Sequence, residues 1–147
     1  MASLSALEYY TRAIATISNG IFAGFAITMG SVSIPIVRNS PDPPRSFLTA
    51  FHTAKKIALI GFAVTASHFA SYYYTKDPRD ALCGVLCLVP IISTGFTVMP
   101  INNQLVAMAE AQSNDKKKAM ELLAKWSRYH WYRVVCVLSS FVLSVLR

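Results

Sequence analysis

Charge is missing from four stretches of this chain: no Asp, Glu, Lys or Arg occurs from Ala13 to Val37, Ile57 to Thr75, Ala81 to Ala109, or Val134 to Leu146. A hydrocarbon core about 30 Å thick takes roughly 20 helical residues, so the pattern predicts four membrane-spanning helices, with a little tolerance for the second. The fourth gap holds only 13 residues, which at about 1.5 Å each cover about 20 Å. The last helix must therefore draw the turn carrying His130 and Arg133 into the membrane's edge.

Polar and helix-breaking residues place the ends. Helix one is expected from near Ser5 to Pro35, with Gly20 and Gly24 on one face for close packing. The segment from Asn39 to Pro44 carries three prolines and reads as a connection, with Ser46 or Thr49 available to cap helix two. That helix runs to about Tyr74, where Tyr72, Tyr73 and Tyr74 form an aromatic belt ahead of the Lys76–Arg79 turn. Helix three follows from about Asp80. Pro90 should bend it, and Pro100 should kink or interrupt it, freeing carbonyls where Asn102 and Asn103 stand. Leu105 to Ala111 can resume a helix, and Ser113-Asn114-Asp115 supplies a cap for the basic stretch leading into helix four.

The expected fold is therefore all-α: one integral-membrane domain over residues 1–147, an up-down antiparallel four-helix transmembrane bundle. Its spans lie near 13–37, 57–75, 81–100 and 126–146, with a helical cytosolic connection between helices three and four.

Composition agrees, with 54% hydrophobic and 14% charged residues and a mean hydropathy of +0.41. These values exclude an ordinary soluble chain. A net charge of +7 would suit nucleic acid, but the basic residues cluster at helix ends, so no nucleic-acid partner is expected. Arg38, Arg45, Lys55, Lys56, Lys116, Lys117, Lys118, Lys125 and Arg128 fall in the first and third connections. Arg12, Lys76, Arg79 and Arg147 fall on the other side, so the positive-inside rule puts both termini away from the cytosol. The Lys116–Lys118 run faces lipid headgroups or solvent. The first apolar stretch lacks a signal-peptide layout. Cys83, Cys87 and Cys136 show no Cys-x-x-Cys spacing and read as small packing residues.

Two polar clusters remain to be explained, because an unpaired polar group inside an apolar span is costly. One is Pro100-Ile101-Asn102-Asn103-Gln104-Leu105. The other is Trp126, His130 and Arg133, which fall within about 60° of one another on a helix and span about 10 Å of its axis. Up-down threading brings both clusters to one membrane face. His130 is the candidate base, since an imidazole with an unperturbed pKa of about 6.5 accepts protons at cellular pH. Asn102, Asn103 and Arg133 are candidate oxyanion holders. The bland alternative is an interfacial girdle of Trp126, Tyr129, Trp131 and Tyr132, with Arg133 on a lipid phosphate and the asparagines satisfying carbonyls released by Pro100. His52 can approach His130, but His68 lies about 24 Å further along and reads as a hydrogen-bonded packing residue or an element of a separate pocket. With no Glu-x-x-His, His-x-x-x-His or Cys-x-x-Cys-His pattern, a metal or haem is disfavoured and left open. No Gly-rich phosphate loop, nucleophile elbow or dinucleotide fingerprint occurs.

The runs Ser18-Asn19-Gly20-Ile21-Phe22-Ala23-Gly24, Met99-Pro100-Ile101-Asn102-Asn103-Gln104-Leu105 and Trp126-Ser127-Arg128-Tyr129-His130-Trp131-Tyr132-Arg133 resemble the signatures of the DUF1772 family of small four-helix membrane proteins. Characterised fungal members of that family are anthrone oxygenases. The resemblance implies O2-dependent oxidation of a polyketide-derived anthrone at C10 to an anthraquinone in secondary metabolism, with O2 as co-substrate and no cofactor required. It implies catalytic roles for His130, Asn102, Asn103 and Arg133. It also implies substrate contact by Trp126, Pro100 and Tyr129, a hydrophobic polycyclic aromatic substrate, membrane lipid as surroundings, and an endomembrane location. The oligomeric state stays open. A rival reading is a non-catalytic bundle that packs against another membrane protein through Gly20 and Gly24.

Overall fold

The computed structural model describes residues 4–146. Among them every regular element is helical. The elements are α1 (Leu4–Thr28), α2 (Ile34–Arg38), α3 (Pro43–Ala58), α4 (Ile60–Thr75), α5 (Pro78–Ser93), α6 (Met99–Glu110) and α7 (Lys116–Val145). Two π-helical turns, Met29–Ser33 and Thr94–Val98, join α1 to α2 and α5 to α6. The result is four long rods. Three of them, Ser5–Arg38, Pro43–Thr75 and Pro78–Glu110, are long and apolar enough to cross a membrane. The rod formed by α7 is not among these, and its charge-free part is the 13-residue stretch whose shortness the sequence already exposed.

Each π turn sits just before a proline. Ile34 donates its N–H to the Met29 carbonyl ahead of Pro35, and Met99 donates to Thr94 ahead of Pro100. Proline lacks an N–H, and its ring crowds the carbonyl four residues back. Widening the preceding turn to an i→i+5 bond lets the helix carry on. Pro100 therefore starts α6 in its first turn instead of interrupting the rod, and Pro90 lies within α5 without ending it.

Other ends also differ from expectation. Asp42 caps α3 by accepting from the Arg45 N–H, so Pro43 and Pro44 open that helix and neither Ser46 nor Thr49 is its cap. Asp77 caps α5, which starts at Pro78, two residues before Asp80. Asp115 caps α7 as the polar triplet suggested. The stretch between the third and fourth apolar segments is helical, as expected, and the rods themselves supply it: α6 runs on to Glu110 and α7 begins at Lys116.

In one half of the molecule α1 packs on α4 and α7, and α5 packs on the same two. In the other half α3 lies against α6, and α2 and α6 both reach α7. The first and third connections meet, since Pro41, Asp42, Ser113 and Asn114 line one shallow depression. At the opposite end Arg12 pairs with Asp77 at 3.1 Å and reaches Asp80 at 3.6 Å. Thr75 Oγ1 donates to Asp80 at 2.8 Å.

Two apolar clusters fill the interior. One joins Ile34, Phe47, Val98, Leu105, Leu123 and Trp126. The other joins Phe22, Ala23, Val64, Cys87 and Val137. The outside is also greasy, with Ile14, Ile17, Ile36, Phe62 and Phe96 all well exposed, as suits a surface against lipid. Gly20 supplies the close approach expected of it, because a Cβ there would meet the Phe141 ring at 2.8 Å. Gly24 does not, having nothing within 4 Å of that position.

Candidate functional site

Along α7, Trp126 belongs to one apolar cluster and Val137 to the other. His130 and Arg133 stand between them. Their spacing on one helical face turns them inward, and the groove they meet is walled by both π turns. A cavity of about 310 Å³ opens there, lined by Phe25, Met29, Phe51, Thr94, Val98 and Asn102 with Trp126, His130 and Arg133. This is the lower end of the volume range of small-molecule pockets, and an apolar wall with a few convergent polar groups is their usual make-up.

The polar groups are tied to one another. Trp126 Nε1 donates to Asn102 Oδ1 at 2.9 Å, and Asn102 Nδ2 donates to Met99 Sδ at 3.7 Å. Asn102 thus holds Trp126 and does not repair carbonyls freed by Pro100. Trp126 in turn stacks on His130, with ring centroids 4.6 Å apart and planes 11° from parallel, while Phe47 meets the indole edge-on.

The remaining contact of the imidazole fixes its protonation. His130 Nε2 lies 2.8 Å from the Ala26 carbonyl. A carbonyl only accepts, so Nε2 carries the hydrogen and donates. In the neutral ring, Nδ1 then bears the free lone pair. It is buried and has no hydrogen-bond partner among the described residues. A buried acceptor left unpaired is costly, so it is a group in want of a proton donor.

Arg133 is half-buried on the cavity wall. The described ion pairs belong to Arg12 and do not involve it. Lys55 also lines the cavity, and no Asp or Glu does. The site is therefore cationic and suited to an anion or to charge that develops as oxyanion.

Four of the residues singled out in the sequence, Asn102, Trp126, His130 and Arg133, thus line a single cavity. Asn103, Pro100 and Tyr129 do not. All three are exposed, because a neighbour in sequence sits about 100° round the helix from a residue that faces in. Trp126 offers little free face for a ligand, since His130 covers one side of its ring. His52 is exposed and off the cavity wall. Among the described residues no group of three or more His, Cys, Asp or Glu side chains is placed to hold a metal.

Sequence reasoning missed Phe25, Met29, Phe51 and Thr94 as wall residues. One signal was available. Gly30 and Pro35 repeat the spacing of Gly95 and Pro100, and each pair frames a π turn that faces the cavity. Gly30 also lets α7 approach, since a Cβ there would stand 3.1 Å from the His130 ring.

His68 is the hydrogen-bonded packing residue expected of it, but its partners, which form a second polar centre deeper in the bundle, were missed. Asn19 Nδ2 lies 2.8 Å from Ser140 Oγ and 3.0 Å from His68 Nε2. Ser140 Oγ donates to the Cys83 carbonyl at 3.0 Å. Cys87 Sγ lies 3.3 Å from Ser140 Oγ. Asn19, His68 and Ser140 are wholly buried and come from three different rods, so this network ties the rods together.

Comparison with known proteins adds one match. A family model described as Anthrone oxygenase covers residues 47–143, about two thirds of the chain. No curated protein and no solved structure matches it.

Proposed function

The chain belongs to the anthrone oxygenase family, and from that premise we propose that it oxidises a polyketide-derived anthrone at C10 to the anthraquinone, with O2 as the oxidant. The observation that carries this reading is the pair His130 and Arg133. Among the described residues it combines an imidazole whose free lone pair is buried and unpartnered with a guanidinium that lacks a carboxylate, both on the wall of an apolar cavity.

An anthrone matches those demands. Its C10 methylene is acidic because loss of a proton gives an aromatic phenolate. His130 takes that proton on Nδ1, and Asn102 and Arg133 hold the phenolate oxygen. The phenolate passes one electron to O2, giving superoxide and a carbon-centred radical. The two recombine with formation of a C10–O bond. The imidazolium returns its proton to the peroxide, and loss of water with the second C10 hydrogen leaves the carbonyl. One anthrone and one O2 become one anthraquinone and one water. No electron is required from elsewhere, so the reaction runs without a cofactor in this proposal.

Trp126 acts behind His130, holding the ring and Asn102 in register, and the flat substrate lies against Phe25, Met29 and Phe51. Asn103, Pro100 and Tyr129 stay outside the substrate's contacts. The bundle is up-down and antiparallel with α7 as its fourth span, sits in an endomembrane, and keeps both termini on the non-cytosolic side. The basic residues at the first and third connections support that orientation. The substrate then enters from the cytosolic leaflet.

The test is quinone formation from a hydroxylated anthrone by purified protein under air, compared with His130→Ala, a boiled control and a chelator-treated sample. Turnover above autoxidation, lost in the variant and kept with chelator, is the expected result. No excess over background would favour the non-catalytic bundle, and loss with chelator would overturn the cofactor-free step.

A further inference from the structure

Beside the large cavity lies a second, much smaller one of about 30 Å³. Its wall is Phe22, Phe25, Ala26, Pro90, Ile91 and Val137, and its remaining lining is His130 and Arg133. Phe25, His130 and Arg133 are shared with the large cavity. The same two polar side chains thus separate a space for a ring system from a space for one very small molecule.

We propose that this chamber is the O2 site. The inference rests on the oxygenase reading and assigns the co-substrate a place of its own. O2 is apolar and dissolves better in hydrocarbon than in water, so a chamber walled by aliphatic and aromatic side chains inside a membrane bundle collects it. A water of similar size needs two to four polar partners. Its side-chain partners here could come only from Arg133 and His130 Nδ1, because His130 Nε2 is committed to Ala26 and the other six lining side chains are apolar.

Position supplies the chemical reason. When an anthrone phenolate in the large cavity gives up an electron, the acceptor becomes superoxide, an anion in a medium of low dielectric. Arg133, with no carboxylate on it among the described residues, lines both spaces and stabilises that charge at the moment it forms. His130 also borders both, so the proton taken from C10 is held where the peroxide oxygen later needs it. The nascent superoxide and the radical are then neighbours across one shared wall, and recombination outcompetes escape.

Two measurements test this. Dissolved O2 is paramagnetic and speeds the relaxation of nearby methyl protons. Under O2 pressure in detergent micelles, the Ala26 and Val137 methyls should relax several-fold faster than the Leu105 and Leu123 methyls, all four residues being buried. The Ala26 excess should vanish in Val137→Ile and Ile91→Phe, which fill the chamber. In steady state those two variants should raise KM for O2 at least fivefold with little change in KM for the anthrone. Ala54→Leu, on the wall of the large cavity and not of the small chamber, should do the reverse. Equal relaxation at all four buried methyls, as a water-filled chamber would show, overturns the proposal. So does a chamber variant that raises both KM values alike. If no anthrone is turned over but the relaxation pattern holds, the O2 chamber stands and the anthrone reading falls.

Discussion

Trp126 and His130 lie face to face, one helical turn apart on α7, with their rings 4.6 Å apart at an angle of 11°. The stack, the Trp126–Asn102 bond and the His130–Ala26 bond form one continuous chain from α6 through α7 to α1. The imidazole has little freedom to turn, so its lone-pair nitrogen is determined before any ligand arrives.

Loss of the base should dominate the kinetics. His130→Ala is expected to lower kcat by about 10²–10⁴, the usual range for a general base, in a protein that still folds. Initial rates of quinone formation, corrected for autoxidation, read this directly. Retention of full turnover would remove His130 from the mechanism.

Trp126→Phe keeps an aromatic ring on His130 and deletes the donor to Asn102. The orphaned amide oxygen should cost about 1–3 kcal/mol of stability. If Trp126 positions the base, kcat should fall several-fold with KM little changed. A rise in KM alone would instead make it a substrate contact. Thermal unfolding in detergent and steady-state rates separate these outcomes.

Arg133→Met removes the guanidinium while keeping a long side chain. Removal of one oxyanion donor lowers kcat by about 10²–10³ in enzymes where it has been measured, and a loss of that order is expected. Arg133→Lys should recover part of it, because a point charge replaces a forked donor. Identical rates in both variants would show that charge at this position does nothing.

The two glycines of α1 should part company. Gly20→Ala places a methyl 2.8 Å from Phe141, and overpacking of that kind costs about 1–3 kcal/mol. Gly24→Ala meets nothing within 4 Å and should be neutral or stabilising by up to about 1 kcal/mol. Denaturation midpoints in one detergent suffice, and equal shifts would refute the packing argument.

Asn19→Leu should destabilise the bundle without direct effect on the chemistry. Interhelical polar contacts in membranes are worth about 0.6 kcal/mol on average and under 2 at most. Asn19 makes such contacts to His68 and Ser140 and a longer one to the Cys87 thiol at 3.9 Å, so a loss of about 1–3 kcal/mol is expected. Under conditions where the variant is folded, its kcat should match the parent. A selective loss of kcat would tie the deep polar centre to the reaction.

Much of the helical plan was legible in the chain. Four charge-free stretches marked four rods, and a 3.6-residue period put Trp126, His130 and Arg133 on one face. The same period also marks why Tyr129 and Asn103 fail to join them: each is one residue from an inward-facing partner and so turns outward. What helical periodicity does not register is a single widened turn. Reading Pro100 as a break missed the π turn that absorbs it, and with it the wall formed by Thr94 and Val98.

The sequence by itself determined the rods, their apolar surfaces and the inward face of α7, because these follow from local periodicity and from the cost of placing charge in hydrocarbon. Only the tertiary structure decided which groups meet. The Ala26 carbonyl that sets the His130 tautomer, the indole that stacks on it, and the union of Asn19, His68 and Ser140 all join residues far apart in the chain. Their pairing depends on the relative depth and rotation of the rods, which packing sets and local sequence does not encode.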